Sequence, residues 1–240
     1  MGKRAKPADI RRRLSNDLIS LSQVLERNTS TVVLNAEVLK SSANQCLQDH
    51  GNLWEYQVAG LQLQVNTPQN VLPKGCGKIL TLKIDLDLAG FCDEALEHGF
   101  KKLVLKVRIE NEDGSSMCSW HFDRHIFDEM DESIEAHPMY HFQHGGHEMK
   151  ELADSLGKVL LLPAPRMASP PMEAVLYIDF LLSNFAGNEW KSLRDDATYT
   201  RLLQEAQMRL WKPYVEKIAT WWAKGPKSNE EILQLWPHLA

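Results

Sequence analysis

The sequence predicts an α+β fold: a central antiparallel sheet of about four or five strands, packed on an N-terminal helical hairpin and on C-terminal helices. Three observations carry this expectation. Apolar residues recur every three or four positions at both ends of the chain. Through the middle they alternate with polar ones at a period of two. Asp113-Gly114 then stands between two such alternating runs, where a hairpin turn belongs.

At the N-terminus, Ile10, Leu14, Leu18, Leu21 and Leu25 form one stripe over residues 8–27, an amphipathic helix. Asn28-Thr29-Ser30-Thr31 interrupts it with several cap-forming side chains. A second helix runs on towards His50, with Ala36, Leu39, Ala43 and Cys46 or Leu47 inward, and Gly51 closes it. In the middle, three runs alternate in the manner of half-buried strands: Trp54 to Val65, Leu80 to Leu88 and Leu103 to Ile109. Their polar second faces favour an antiparallel sheet with one side wet. Across Asp113-Gly114 a returning strand is expected from about Met117 to His125. Pro68, Pro73, Gly75 and Gly77 make 67–77 a loop, and 91–100 reads as a short connection. The acids Asp128, Glu129, Asp131, Glu132 and Glu135 read as a solvated loop or helix start. A short helix over Glu148–Leu156 and a buried extended run over Val159–Leu162 precede the prolines at 163, 165, 170 and 171.

The last third reads as helical. Met172 to Phe185 is apolar nearly all round, with Pro171 placed for its first turn. Asp195 or Asp196 caps a long segment, Ala197 to Lys224, that Pro213 is expected to kink or split and Gly225-Pro226 to stop. Ser228 with Glu231 forms a capping box for a final helix, Glu230 to Trp236. Trp221 and Trp222 diverge by about 100° on a helix, so one of them is a candidate partner contact. No strong composition shift cuts the chain, which reads as a single domain over 1–240: a helical hairpin at 1–51, a sheet region at 52–162 and a helical region at 171–240.

The composition is that of a globular protein, 43% hydrophobic and 25% charged. A net charge of −5 does not favour nucleic acid as a partner, although the basic start with Lys3, Arg4, Lys6, Arg11, Arg12 and Arg13 can touch an acidic surface. No run approaches the ~18 apolar residues of a membrane helix. Cys46, Cys76, Cys92 and Cys118 follow no disulfide or metal-knuckle spacing. A cytoplasmic protein with reduced thiols and no membrane partner is the expectation.

The strongest chemical signal is histidine. Six of the nine lie between 121 and 147. On a strand over 117–125, Cys118, Trp120 and Phe122 share one face, and Ser119, His121, Asp123 and His125 share the other. A second extended stretch, 139–143, carries His141. Neutral imidazole and carboxylate are ligands for divalent transition metals, so His121, Asp123, His125, His137 and His141 are the candidate metal ligands. A metal-free alternative uses His121, Asp123 and His141 as acid–base residues. Phosphodiester cleavage is then the natural chemistry, and Arg124, Lys106 or Arg166 can neutralise phosphate. A structural reading competes with both, because histidines also bond backbone carbonyls in tight turns such as those at Pro138 and Gly145-Gly146. His144 and His147 read as loop histidines, and His50, His98 and His238 are isolated.

The run Trp120-His121-Phe122-Asp123, then His137-Pro138-Met139-Tyr140-His141-Phe142-Gln143, then Pro163-Ala164-Pro165-Arg166 resembles a signature of bacterial proteins with no assigned activity. The resemblance implies a bacterial setting and carries no catalytic residue across. The phosphate loop, dinucleotide fingerprint, serine elbow and kinase motifs are all absent from the sequence. Two functions follow as expectations. One is an accessory protein that binds a protein partner in a bacterial multiprotein system. The alternative is a His/Asp-based hydrolase, metal-dependent or metal-free, acting on phosphodiesters.

Overall fold

The computed structural model describes residues 6–71, 73–92, 99–125, 136–145, 149, 166–224 and 230–239. Among the described residues the sheet is a six-stranded antiparallel meander in chain order: β1 (Leu53–Asn66), β2 (Ile79–Phe91), β3 (Phe100–Asn111), β4 (Met117–Arg124), β5 (Tyr140–His144) and β6 (Met167–Ala168). The fold is α+β, with one strand more than the sequence suggests. The extra strand is the two-residue β6. Its proline-flanked residues pair with β5 through His141↔Ala168 and Phe142↔Met167, too short a ladder for any periodicity to announce.

α1 (Pro7–Asn28) and α2 (Val38–Cys46) form the N-terminal hairpin. α2 stops well short of His50, leaving Leu47 exposed, and Gly51 adopts φ +66° beyond it. α3 (Ala174–Phe185) starts later than Pro171 suggests. Its cap is Glu173, whose Oε2 accepts the Val175 N–H at 2.9 Å, so Pro171 lies before the helix and not in its first turn. α4 (Gly187–Arg194) has no forecast in the sequence. α5 (Ala197–Lys224) is capped by Asp196, which accepts from the N–H groups of Thr198 and Tyr199. It continues unbroken through Pro213, because buried Tyr199, Leu202, Leu203 and Ala206 before the proline and Tyr214, Ile218 and Trp221 after it hold both halves on the core. α6 (Glu230–Leu235) follows. Among the described residues no helix is long and apolar enough to cross a membrane.

Period-two geometry divides the sheet into two unlike faces. Leu61 and Leu63 of β1, Leu82, Ile84, Leu86 and Leu88 of β2, Leu103, Leu105 and Val107 of β3 and Phe122 of β4 enter one hydrophobic cluster with the apolar stripes of α1, α2, α3 and α5. The other face is charged and carries the ion pairs Lys83–Glu110 (2.6 Å) and Lys102–Asp87. The hairpin between β3 and β4 turns at Asp113-Gly114, with Gly114 at φ +71°. Asp113 Oδ1 accepts the Ser115 N–H. Of Trp221 and Trp222, the first is buried and the second is 71% exposed. The acidic run 128–135, the short helix at 148–156 apart from the buried Met149, the extended run 159–162, Pro163, Pro165, Gly146, His98, His147, Gly225-Pro226 and the Ser228–Glu231 box lie outside the described residues, in whole or in their side chains.

Candidate metal centre

β4 and β5 position the site. In their register Asp123 stands directly opposite His141, and His121 opposite Gln143. Towards the sheet interior the same two rows continue as Asp123↔Val104↔Asp87 and His121↔Lys106↔Asp85. Both rows belong to the charged face, because Phe122 between them pairs with Leu105 and packs in the core. The alternation of one strand therefore puts His121 and Asp123 side by side, and the pairing of the next strand adds His141.

One ligand atom from each of His121, Asp123 and His141 lies within 4.8 Å of the other two. His141 Nε2 is 3.2 Å from Asp123 Oδ1, and His121 Nε2 is 3.5 Å from Asp123 Oδ2. The carboxylate thus presents one oxygen to each imidazole. His141 is fully buried, although it sits on the charged face. Its Nδ1 lies 3.0 Å from the Pro138 carbonyl oxygen. A carbonyl only accepts, so Nδ1 carries a proton. Burial pushes the His141 imidazole down to about 4. The Asp123 charge opposes that shift, His137 and Arg166 add to it, and the hydrogen bond to Pro138 opposes it. At neutral pH the ring is neutral and its proton is on Nδ1. The Nε2 lone pair therefore faces a carboxylate oxygen.

His125 and His137 pair with each other. Their rings stack at 3.5 Å, and His137 meets the His141 ring edge-on at 4.8 Å. They form a wall beside the site, and the cluster of converging ligand atoms does not include them. His144 is exposed. His50 Nε2 lies 3.3 Å from Glu55, remote in sequence from the cluster. Arg124 pairs with Tyr140 on the core side of the sheet, so it does not share the face of the triad. Cys118 is half-buried against the core, and all four cysteines are free thiols. The structural reading of the sequence names backbone carbonyls in the turn at Pro138 as histidine partners, and His141 makes such a contact. That this carbonyl sets the tautomer of a site histidine is not foreseen by that reading.

A second cluster of buried charge lies on the helical side. Arg209 of α5 contacts Asp17 of α1 (2.9 Å) and Glu173 at the head of α3 (3.8 Å). Burial raises both carboxyls despite the guanidinium, Glu173 to about 7. Glu173 and Arg209 line a cavity of about 780 Å³ with Trp54, Phe100, Ile10 and Leu14. Period alone cannot bring these positions together, and no reading of the sequence singled them out. Compared with known proteins, the chain matches no family model, no curated protein and no solved structure.

Proposed function

We propose that His121, Asp123 and His141 bind one divalent transition-metal ion of the zinc class, and that the protein is a metal-dependent hydrolase. The observation that carries the reading is the contact of His141 Nδ1 with the Pro138 carbonyl oxygen, 3.0 Å away. With Nδ1–H given to Pro138, an unprotonated Nε2 is held 3.2 Å from Asp123 Oδ1. Two acceptors face each other at a distance that favours a cation between them. Bonds of about 2.0–2.1 Å from a tetrahedral ion place neighbouring ligand atoms ~3.3 Å apart. A backbone carbonyl fixing the far nitrogen of a ligand histidine is a common second contact of metal sites.

Two histidines and one carboxylate leave a coordination position open, which suits catalysis better than structure. A zinc-class ion supplies acidified water there. Asp123 balances part of the charge, and the His125–His137 stack walls the site. The test is metal analysis and calorimetric titration with Zn²⁺ and Co²⁺. One equivalent is expected in the intact chain, and Asp123→Asn and His121→Ala are each expected to abolish it while the melting curve persists. Absence of binding in the intact chain overturns the reading.

A different face supports the second reading, an accessory protein with a protein partner. Met208, Val215 and Trp222 are exposed at intervals of seven along α5, and exposed Trp is a frequent hot spot. Light scattering of the full chain and of Trp222→Ser tests the simplest form, self-association.

A further inference from the structure

We infer that the site binds a phosphoryl oxyanion, and that Arg166 is the residue that receives it. The inference rests on the metal reading above and adds the substrate class. Arg166 stands two residues before Ala168, and Ala168 pairs with His141. In an extended chain, residues two apart share a face. The step from Ala168 back to Arg166 therefore follows the step from His141 to Gln143, whose partner on β4 is His121. Arg166 thus falls at the end of the row Lys106, His121, Gln143, on the charged face.

Nε and Nη1 of Arg166 are buried and make no hydrogen bond among the described residues. A guanidinium has five N–H donors and cannot shed its proton, so buried donors without acceptors are costly. Other arginines of the fold do reach partners, although Arg124, on the opposite face of the sheet, also has a buried Nε without a hydrogen bond among the described residues. Arg11 reaches Asp49 and the Gly51 carbonyl, and Arg194 reaches Asp179. Among the described residues no such partner meets Arg166 beside the triad, and an oxyanion is the group that meets its donors with the geometry guanidinium prefers. Charge selects among oxyanions. A divalent ion, the Asp123 carboxylate and the Arg166 cation together leave an excess of two positive charges, which a phosphate dianion cancels and a carboxylate does not. The exposed Lys106 on the same row adds a positive rim.

Isothermal titration of inorganic phosphate into the Co²⁺-loaded chain tests this, with the visible cobalt spectrum as a second readout. Phosphate is expected to bind and perturb the spectrum. Arg166→Gln is expected to weaken phosphate at least about tenfold with Co²⁺ affinity unchanged, and Arg166→Lys to restore part of the loss. Equal phosphate affinity in intact and Arg166→Gln chains overturns the inference and leaves the metal reading standing. Acetate binding as tightly as phosphate overturns the phosphoryl assignment. If no metal binds, the metal reading fails, and phosphate titrated into the metal-free chain decides the rest: binding lost in Arg166→Gln upholds Arg166 as an oxyanion residue, and no binding overturns it.

Discussion

Asp123 and His141 face each other across β4 and β5, and Pro138, three residues before His141, fixes which nitrogen of that ring carries the proton. The relationship makes a spectroscopic prediction independent of any substrate. In long-range ¹H–¹⁵N spectra of the metal-free chain at pH 7, His141 is expected as the Nδ1–H tautomer with an unprotonated Nε2. It is expected to stay neutral down to about pH 5, since burial pulls its titration to about 4. Zn²⁺ is expected to shift Nε2 and leave Nδ1 protonated. A ring protonated on both nitrogens at pH 7 contradicts the geometry.

Asp179 makes the second prediction. This buried carboxylate of α3 accepts from Trp190 Nε1 (2.8 Å) and Arg194 Nη2 (3.0 Å) of α4 and from the Tyr199 hydroxyl (3.1 Å) of α5. One side chain therefore joins three helices. Asp179→Ala strands two neutral donors and a cation, and is expected to destabilise the fold by about 3 kcal/mol. Arg194 is partly exposed and recovers water contacts, which keeps the loss near the low end of the range for broken buried pairs. Asp179→Asn, which retains an acceptor oxygen, is expected to lose less. Urea unfolding of the two variants measures both. A loss under about 1 kcal/mol in Asp179→Ala removes the network from the account of stability.

These two clusters differ in how far the sequence reveals them. His121 and Asp123 are two apart on a strand whose other face is Trp120 and Phe122, so alternation alone assigns them a common face. The sheet was legible for the same reason: β1, β2 and β3 are half-buried, and a half-buried strand writes its burial into every second residue. Asp179, Trp190, Arg194 and Tyr199 lie on three helices, and only tertiary packing brings them together. The same holds for Asp17, Glu173 and Arg209. α3 is apolar nearly all round, so its periodicity could not mark Asp179 as a hub. The bulge between Val58 and Leu61 was also hidden. There Gly60 adopts φ +66° and gives its N–H to Asp85, so a pairing slip follows from contacts remote in sequence.

Gly90 carries the third prediction. A Cβ at this position would lie 2.5 Å from Cζ2 and 2.7 Å from Cε2 of Trp54. The indole cannot give way easily. It is stacked near Tyr56 and edge-on to Phe100, and its Nε1–H bonds the Phe91 carbonyl at 3.2 Å. Gly90→Ala is expected to destabilise by about 1–3 kcal/mol, as overpacking does in a dense core. Combining it with Trp54→Leu is expected to recover part of the loss relative to the sum of the single variants. Strictly additive effects contradict a clash between these two residues.

The last prediction concerns pH and the charge buried under α5. Glu173 is 4% exposed, and burial raises its carboxyl to about 7 from an ordinary 4.5, with Arg209 offsetting only part of the shift. A raised carboxyl means that the folded chain holds a proton that the unfolded chain releases. Its stabilising contribution is therefore complete below about pH 4.5 and is lost as pH rises through 7. The full difference is on the order of 3 kcal/mol. Asp17, also raised by burial, acts in the same direction. His141 acts oppositely: its titration is lowered, so its contribution is lost as pH falls from 6.5 towards 4. Glu173→Gln separates these effects. The amide oxygen can still accept the Val175 N–H that caps α3, the titration is gone, and His141 and Asp17 remain in both chains. The stability of the intact chain minus that of Glu173→Gln is expected to fall by on the order of 2–3 kcal/mol between pH 5 and pH 8, most of it above pH 5.5. Urea midpoints across that interval measure the difference directly. Two parallel curves mean that Glu173 remains ionised in the fold throughout, with Arg209 outweighing its burial.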